Sequence, residues 1–371
     1  MKSIYKSQTK KHTDQKIFFD EDMDMQRFDI MKYPKVDRMN KTHIGYSWVP
    51  EEIDLTKDSS DFRTQVSSAG QHIFTSNLKR QIMLDSIQGR GPALTLLPIV
   101  SLPEVESFIN TWNYFEGSIH SRSYSHIIRN IYNDPSEVFD TMKDSKEINH
   151  AAAEIAKYYD DLIYKNAQLM SGMKVNSYDH KASLWKCLHA INALEGLRFY
   201  VSFACAWAFA ENDLMVGNAD IIRLICRDEN LHLAFTQWLI KKLPQDDKDF
   251  EKIAINEKDE CRSIMLNVRE QEKDWADFLF SQGSILGLNS DILKLFVDYI
   301  TNKRMRAIGL EVDFDYPKSH PLPWVKAWIS ADSGQDAPQE KEKTEYIVGG
   351  INNDVTNDTF KGFDLGIKSN Y

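Results

Sequence analysis

The chain lacks most of the features that would mark an exported, membrane or nucleic-acid-binding protein. Only four cysteines occur in 371 residues. They are Cys187, Cys205, Cys226 and Cys261, without a CxxC pair or a regular spacing. That excludes a disulfide framework and fits reduced, mostly buried thiols. There is no excess of positive charge: the net charge is −10 and the pI is near 5.5. A nucleic acid or an anionic membrane is therefore not the expected partner. The first residues, MKSIYKSQTKKHTDQ, contain no apolar stretch of the signal-peptide kind. The most apolar run, Phe199 to Ala210, is too short to span a bilayer and closely follows Glu195 and Arg198. No period-two alternation, no internal repeat and no phosphate-cradling glycine loop is found. What remains is an all-α chain, expected to be soluble, intracellular and cytoplasmic.

The organisation follows from where helical periodicity starts and stops. Residues 1–45 are polar, interrupted by Pro34, and read as an N-terminal arm. Residues 46–330 read as one helical domain, and 331–371, rich in Pro, Gly, Asn and Asp, as a flexible C-terminal tail. Within the domain the pattern predicts a helix over 68–86, a break at Gly89, Gly91 and Pro92, and a helix opened by Pro103 and Glu104. An amphipathic helix follows over 147–168, then a loop over 171–181. From Ser183 a segment is apolar on nearly every side, as in a helix surrounded by other helices. GNAD (217–220) reads as a stop and restart before another buried helix, and two more are expected near 247–282 and 290–308.

The chemistry concentrates in TWNYFEGSIHSRSYSH, which places Glu116, His120 and Tyr124 four residues apart, with Trp112 one step earlier. Positions four apart lie about 40° from each other around a helix, so these groups share a face. Alone, such a row is more often the wet edge of an amphipathic helix. Asp85 lies near the apolar side of its helix, where an Asp is out of place. Glu195 and Arg198 sit inside the most apolar segment, and Glu229 and His232 are spaced i, i+3 in another. Asp85, Glu116, His120, Glu195, Glu229 and His232 thus bring four carboxylates and two imidazoles from four helices. Converging in a core, four ionised carboxylates would be prohibitively costly or would take up protons. Two divalent cations would neutralise all four while the imidazoles stay neutral. Mixed oxygen and nitrogen donors suit Fe or Mn better than structural Zn. A lone Glu-x-x-His is common by chance. The order acid, Glu/His, acid, Glu/His over four helices is that of the ferritin-like carboxylate bundles.

Further stretches carry a closer resemblance: YSWVPEEID, TSNLKRQIMLDSIQGR, HSRSYSHIIRNI, NALEGLRFYVSFA, GNADIIRLICRDENLHL, EKDWADFLF, APQE and EYIVG. Over roughly residues 46–350 the chain resembles the small, radical-generating subunit of class I ribonucleotide reductase. The resemblance implies a ferritin-like di-metal bundle in which the six residues above bind two Fe ions, with Mn possible. Dioxygen would then oxidise Tyr124 to a stable radical, in a pocket that includes Phe199, Phe203 and Ile225. It further implies that Trp48 and Asp228 link the metal site to the surface. Tyr346, assisted by Glu340, would relay the oxidising equivalent to a large catalytic subunit that reduces ribonucleotides to deoxyribonucleotides. The family is a homodimer, docks the large subunit through its C-terminal tail, and has no nucleic-acid or membrane partner. Alternative readings are a stand-alone di-metal oxidase or oxygenase, and an iron-storage or structural bundle. The oxidase would keep the six ligands but has no need of Trp48, Tyr346 or a long docking tail.

Two features depart from the family pattern. Between Glu116 and His120 stands one residue more than Glu-x-x-His allows, most simply Gly117. An extra residue rotates everything downstream by about 100° unless the helix absorbs it as a π-bulge, which predicts such a bulge near residues 114–120. Glycine costs about 1 kcal/mol relative to alanine inside a helix, so helix stability does not explain it. The tail departs too: TFKGFDL is followed by GIKSNY, leaving docking through Phe363–Leu365 or through the end at Tyr371 both open.

Overall fold

The computed structural model describes residue 5 and residues 7–330. Glu340, Tyr346, Phe363–Leu365 and Tyr371 lie outside the described residues. Helices α1 (Pro34–Gly45), α2 (Thr56–Thr64), α3 (Ser68–Gln88), α4 (Gly91–Leu96), α5 (Pro103–Tyr114), α6 (Ser121–Ile131) and α7 (Ser136–Phe139) form the first half. The second half comprises α8 (Lys146–Met170), α9 (Ser177–Ala193), α10 (Phe199–Ala210), α11 (Val216–Asp246), α12 (Lys248–Asn256), α13 (Lys258–Leu279), α14 (Ser290–Ala307) and α15 (Val325–Ile329). Among the described residues the only β pairing is two isolated bridges, and no helix is long and apolar enough to cross a membrane.

Two π-helical segments run on without a break from the helices that flank them. Phe115–His120 joins α5 to α6, and Leu194–Arg198 joins α9 to α10. Four long rods, α3, α5–π–α6, α9–π–α10 and α11, thus pack around a common interior. Helix α10 is buried at every position but its last, as its all-round apolarity requires. Helices α8, α13 and α14 cover the outside of α3, α9 and α10, while α1 lies across α5 and α11.

Several boundaries differ from the sequence pattern for identifiable reasons. Pro34 does not break the arm; it occupies the first turn of α1, where its missing N–H costs nothing. Asn176 caps α9 by accepting from the amides of Tyr178 and Asp179, so that helix starts six residues before Ser183. The stop before α11 lies upstream of GNAD, at left-handed Asp213 and Met215. Asp58 of α2 accepts from the amides of Gly217 and Asn218 at 3.0 and 2.7 Å and so caps α11 from another helix. Residues 247–282 form two helices rather than one. Asp247 caps α12, and Asp259 and Glu260 start α13 afresh in the turn where acids oppose the helix dipole.

The polar arm closes onto the far end of α11. Asp246 accepts from the Ile17 amide at 2.6 Å, from Lys32 at 2.7 Å and from the Tyr33 hydroxyl at 2.8 Å. Asp247 pairs with Lys16 and Lys181.

The charge expected to need a partner inside the bundle, Arg198, finds it on α13. Glu272 accepts from Arg198 Nη1 at 2.9 Å and from both terminal nitrogens of Arg80, one at 2.9 Å. Arg80 stacks its guanidinium on Trp275, 4.5 Å from the ring centroid. All three charged side chains are at most 1 % exposed. Removing one member of a buried ion group strands the others. Glu272→Ala is expected to cost about 3–5 kcal/mol, measured by urea unfolding; a loss below about 1 kcal/mol would show that the two arginines find water or other partners.

Candidate metal centre

Each rod delivers its polar groups to the same interior point. Asp85 comes from the last turn of α3, and Glu116 and His120 from the first π-segment. Glu195 comes from the second π-segment, and Asp228, Glu229 and His232 from the middle of α11. All are at most 1 % exposed. The donor atoms form two overlapping sets, each within 4.8 Å: Asp85, Glu116, His120 and Glu229 in one, and Glu116, Glu195, Glu229 and His232 in the other. Glu116 and Glu229 belong to both. His120 Nδ1 lies 3.2 Å from Glu116 Oε2 and 3.4 Å from Glu229 Oε1. His232 Nδ1 lies 3.0 Å from Glu116 Oε1, 3.2 Å from Glu229 Oε2 and 3.9 Å from Glu195 Oε1. Both imidazoles therefore aim the same nitrogen at the shared carboxylates.

The predicted bulge is present: the segment from Phe115 to His120 is π-helical. Tyr124 follows one turn later on α6, 1 % exposed. The structure also explains the glycine. Gly117 lies against Gly89 at the end of α3, and a Cβ on Gly117 would stand 3.2 Å from the Gly89 carbonyl oxygen. A Cβ on Gly89 would stand 3.0 Å from the Gly117 Cα. Backbone meets backbone there, between the segments that carry Asp85 and Glu116. The second π-segment was not foreseen. Its end is marked by the Phe199 amide donating to the Leu194 carbonyl five residues back, and no irregularity in the sequence around Glu195 signals it.

Hydrogen bonds from outside fix several of these groups. The Trp112 indole donates to Glu116 Oε1 at 3.2 Å. The Gln88 amide donates to Glu195 Oε1, and the buried Tyr159 hydroxyl donates in turn to Gln88 Oε1. Asp228 Oδ2 accepts from the Trp48 indole at 2.8 Å and lies 3.3 Å from His120 Nε2. Gln88, Tyr159 and the buried imidazole of His43 carried no signal in the sequence, since each falls where a packed helix residue would. Phe199 and Phe203 of α10 stack with centroids 6.0 Å apart, and Ile225 is buried on α11.

The electrostatics are those of a site built for positive charge. Burial, followed by the charge of Glu116, raises Asp85 and Glu195 above the usual carboxylate range. The same two causes, in the same order, raise Glu229. Burial also pushes Glu116 up, but His120 and His232 overcome it and leave the group lowered. Burial opposes the charged form of His120, yet Glu116 and Asp228 raise it to about 10. Burial and then the Asp85 charge lift the Tyr124 phenol well above its ordinary value. Both Asp85 oxygens, Glu195 Oε2, Glu229 Oε1 and the Tyr124 hydroxyl have no hydrogen-bond partner. The Tyr124 phenol faces Asp85 without a hydrogen bond of ordinary length. So many unpartnered acceptors in one dry cluster cost free energy, and two divalent cations fit the donor sets in number, charge and type.

A bundle of four rods with acids and Glu/His pairs facing inward defines the ferritin-like class of di-metal carboxylate proteins. The sequence profile of the family "Ribonucleotide reductase, small chain" matches residues 26–321. Ribonucleoside-diphosphate reductase 1 subunit beta of Escherichia coli O157:H7 is 45% identical over 362 residues, covering 94% of this chain and 96% of its own. The subunit beta of Enterobacteria phage T4 is 39% identical over 370 residues, covering 94% and 95%. Among solved structures, the R2 subunit from Clostridium botulinum superposes with a TM-score of 0.74 at 24% identity, over 85% of this chain and 94% of that one. The dimanganese(II)-NrdF of Streptococcus sanguinis gives 0.66 at 20% identity, over 83% and 100%. The chain belongs to the small-chain family of ribonucleotide reductases, oxidoreductases in which the small chain pairs with a large subunit.

Because burial and the charge of Glu116 raise Asp85, Glu195 and Glu229 toward their protonated forms, binding of Mn(II) or Fe(II) to the metal-free chain is expected to release protons. Affinity should then weaken as the pH falls. Calorimetry in buffers of different ionisation enthalpy reads this directly, and binding independent of buffer and pH would contradict it. Gly117→Ala should lower stability by about 1–3 kcal/mol through overpacking, whereas a helix without the Gly89 contact would gain about 1 kcal/mol. Thermal denaturation decides the sign.

Proposed function

We propose that Asp85, Glu116, His120, Glu195, Glu229 and His232 hold two iron ions. Glu116 and Glu229 would be shared between them. The observation that carries this reading is the pair of overlapping donor sets with Tyr124 facing Asp85. When bound, the ions supply the reduction of dioxygen that yields a one-electron oxidant beside the phenol. The chain does the rest. Tyr124 gives up an electron together with its proton, and Asp85 is the carboxylate facing that proton. The resulting radical is neutral, so the apolar surroundings to which Phe199, Phe203 and Ile225 contribute tolerate it and keep water and reductants out. Glu195, held by the Tyr159–Gln88 pair, and Glu116, held by Trp112, keep their positions without help from solvent.

The way out runs through His120, Asp228 and Trp48, whose contacts of 3.3 and 2.8 Å form a continuous hydrogen-bonded line. From Trp48 the oxidising equivalent passes to Tyr346, with Glu340 assisting, and on to the large subunit, where ribonucleoside diphosphates are reduced. The tail beyond residue 330 docks that subunit, and the functional small chain is a homodimer. Manganese fits the same donors, and metal availability selects between the two.

Reconstitution of the metal-free chain with ferrous ion and air tests this. Two metals per chain and a tyrosyl signal in electron paramagnetic resonance are expected, and the signal should vanish in Tyr124→Phe while both metals remain. Nucleotide reduction should require the large subunit. A signal surviving in Tyr124→Phe would sink the assignment of the radical, and turnover of a small substrate without a partner would favour a stand-alone oxidase.

A further inference from the structure

His43, near the end of α1, is fully buried, and neither of its ring nitrogens has a hydrogen-bond partner. Its ring stacks on Phe115, the first residue of the π-segment, with centroids 4.0 Å apart and planes at 18°. Phe108 packs at 5.9 Å and His232 meets it edge-on at 4.8 Å. Stacking alone is served as well by phenylalanine, which leaves no nitrogen stranded in a dry interior. The presence of an imidazole therefore calls for a polar partner. One faces it: His43 Nε2 lies 3.9 Å from Asp228 Oδ1, and that oxygen likewise has no partner. The other Asp228 oxygen is already engaged by Trp48 and lies beside His120. His43 belongs to neither donor set, so it is not a further ligand.

We propose that His43 is a positioning residue for Asp228, its Nε2–H donating to Oδ1 after a closure of about 1 Å to ordinary hydrogen-bond length. A neutral imidazole has one donor and one acceptor, and this arrangement spends the donor on the idle oxygen. Asp228 is then gripped from both sides. It can neither swing away from the Trp48 indole nor rotate off His120. The Phe115 ring, set by the π-segment, holds the imidazole in plane for that bond. The hydrogen bond stands independently of the proposed radical route; its role in transfer rests on that reading.

Histidine-selective 15N NMR of the metal-free full chain tests the bond. The signal lost in His43→Gln identifies His43. It should be the neutral Nε2–H tautomer, with a proton that exchanges slowly and whose exchange quickens in Asp228→Asn. A His43 protonated on Nδ1, or a signal indifferent to Asp228→Asn, overturns the proposal. The functional arm uses the reconstituted chain with its large subunit. His43→Phe, which keeps the stacking, should lower nucleotide reduction per tyrosyl radical about tenfold, and His43→Gln, which restores a donor, should recover most of it. Equal rates in all three overturn the positioning role. If Trp48→Phe leaves reduction intact, the radical route itself fails, and the NMR arms still decide the hydrogen bond.

Discussion

Four carboxylates share one dry space, and that constraint governs the rest of the molecule. Left to themselves they repel one another, and only cations or protons reconcile them with burial. The fold meets this with rods stiff enough to hold the oxygens close, and with donors on the outside that pin Glu116 and Glu195. Trp112 and Gln88 each spend a hydrogen on one of these carboxylates from behind, and Trp48 does the same for the neighbouring Asp228. The wall around them, α10 above all, is apolar because any competing donor would dissipate the arrangement.

The two π-segments belong to the same solution. A regular α-helix presents a residue to one direction every three or four positions, which suits a Glu/His pair but not a crowded site fed from many angles. Widening the helix for one turn re-aims Glu116 against His120, and Glu195 against its apolar neighbours, without breaking the rod. In the first segment the added width brings the backbone up to α3, and glycines on both sides let it come. What reads in the sequence as a costly residue in a helix is, in three dimensions, the contact that sets the spacing between two ligand-bearing segments.

Much of this was legible in advance. The six inward-facing residues were recognisable because charged groups in apolar helical patterns are expensive, and the bulge because a one-residue insertion must go somewhere. Helix α10 declared itself by composition. Less visible was whatever depends on a partner far away in the chain: the cap that Asp58 lends to α11, the Tyr159–Gln88 pair behind Glu195, and His43 beneath Asp228. These residues obey local helix rules, so nothing in their own neighbourhood distinguishes them. Arg198 was legible only by half. Its need for a counter-charge was clear, but Glu272, seventy-four residues on, was not.

That counter-charge has an implication for how the centre is inherited and altered. Arg80 stands five residues before Asp85, and Arg198 three after Glu195, so one carboxylate on α13 sets the rotation of two rods that feed the site. A helix that contributes no ligand thus acts as a common keel. Changes accumulating along α13 would alter metal affinity and global stability in step, and a loss of metal traced to that helix would be a matter of alignment rather than of coordination.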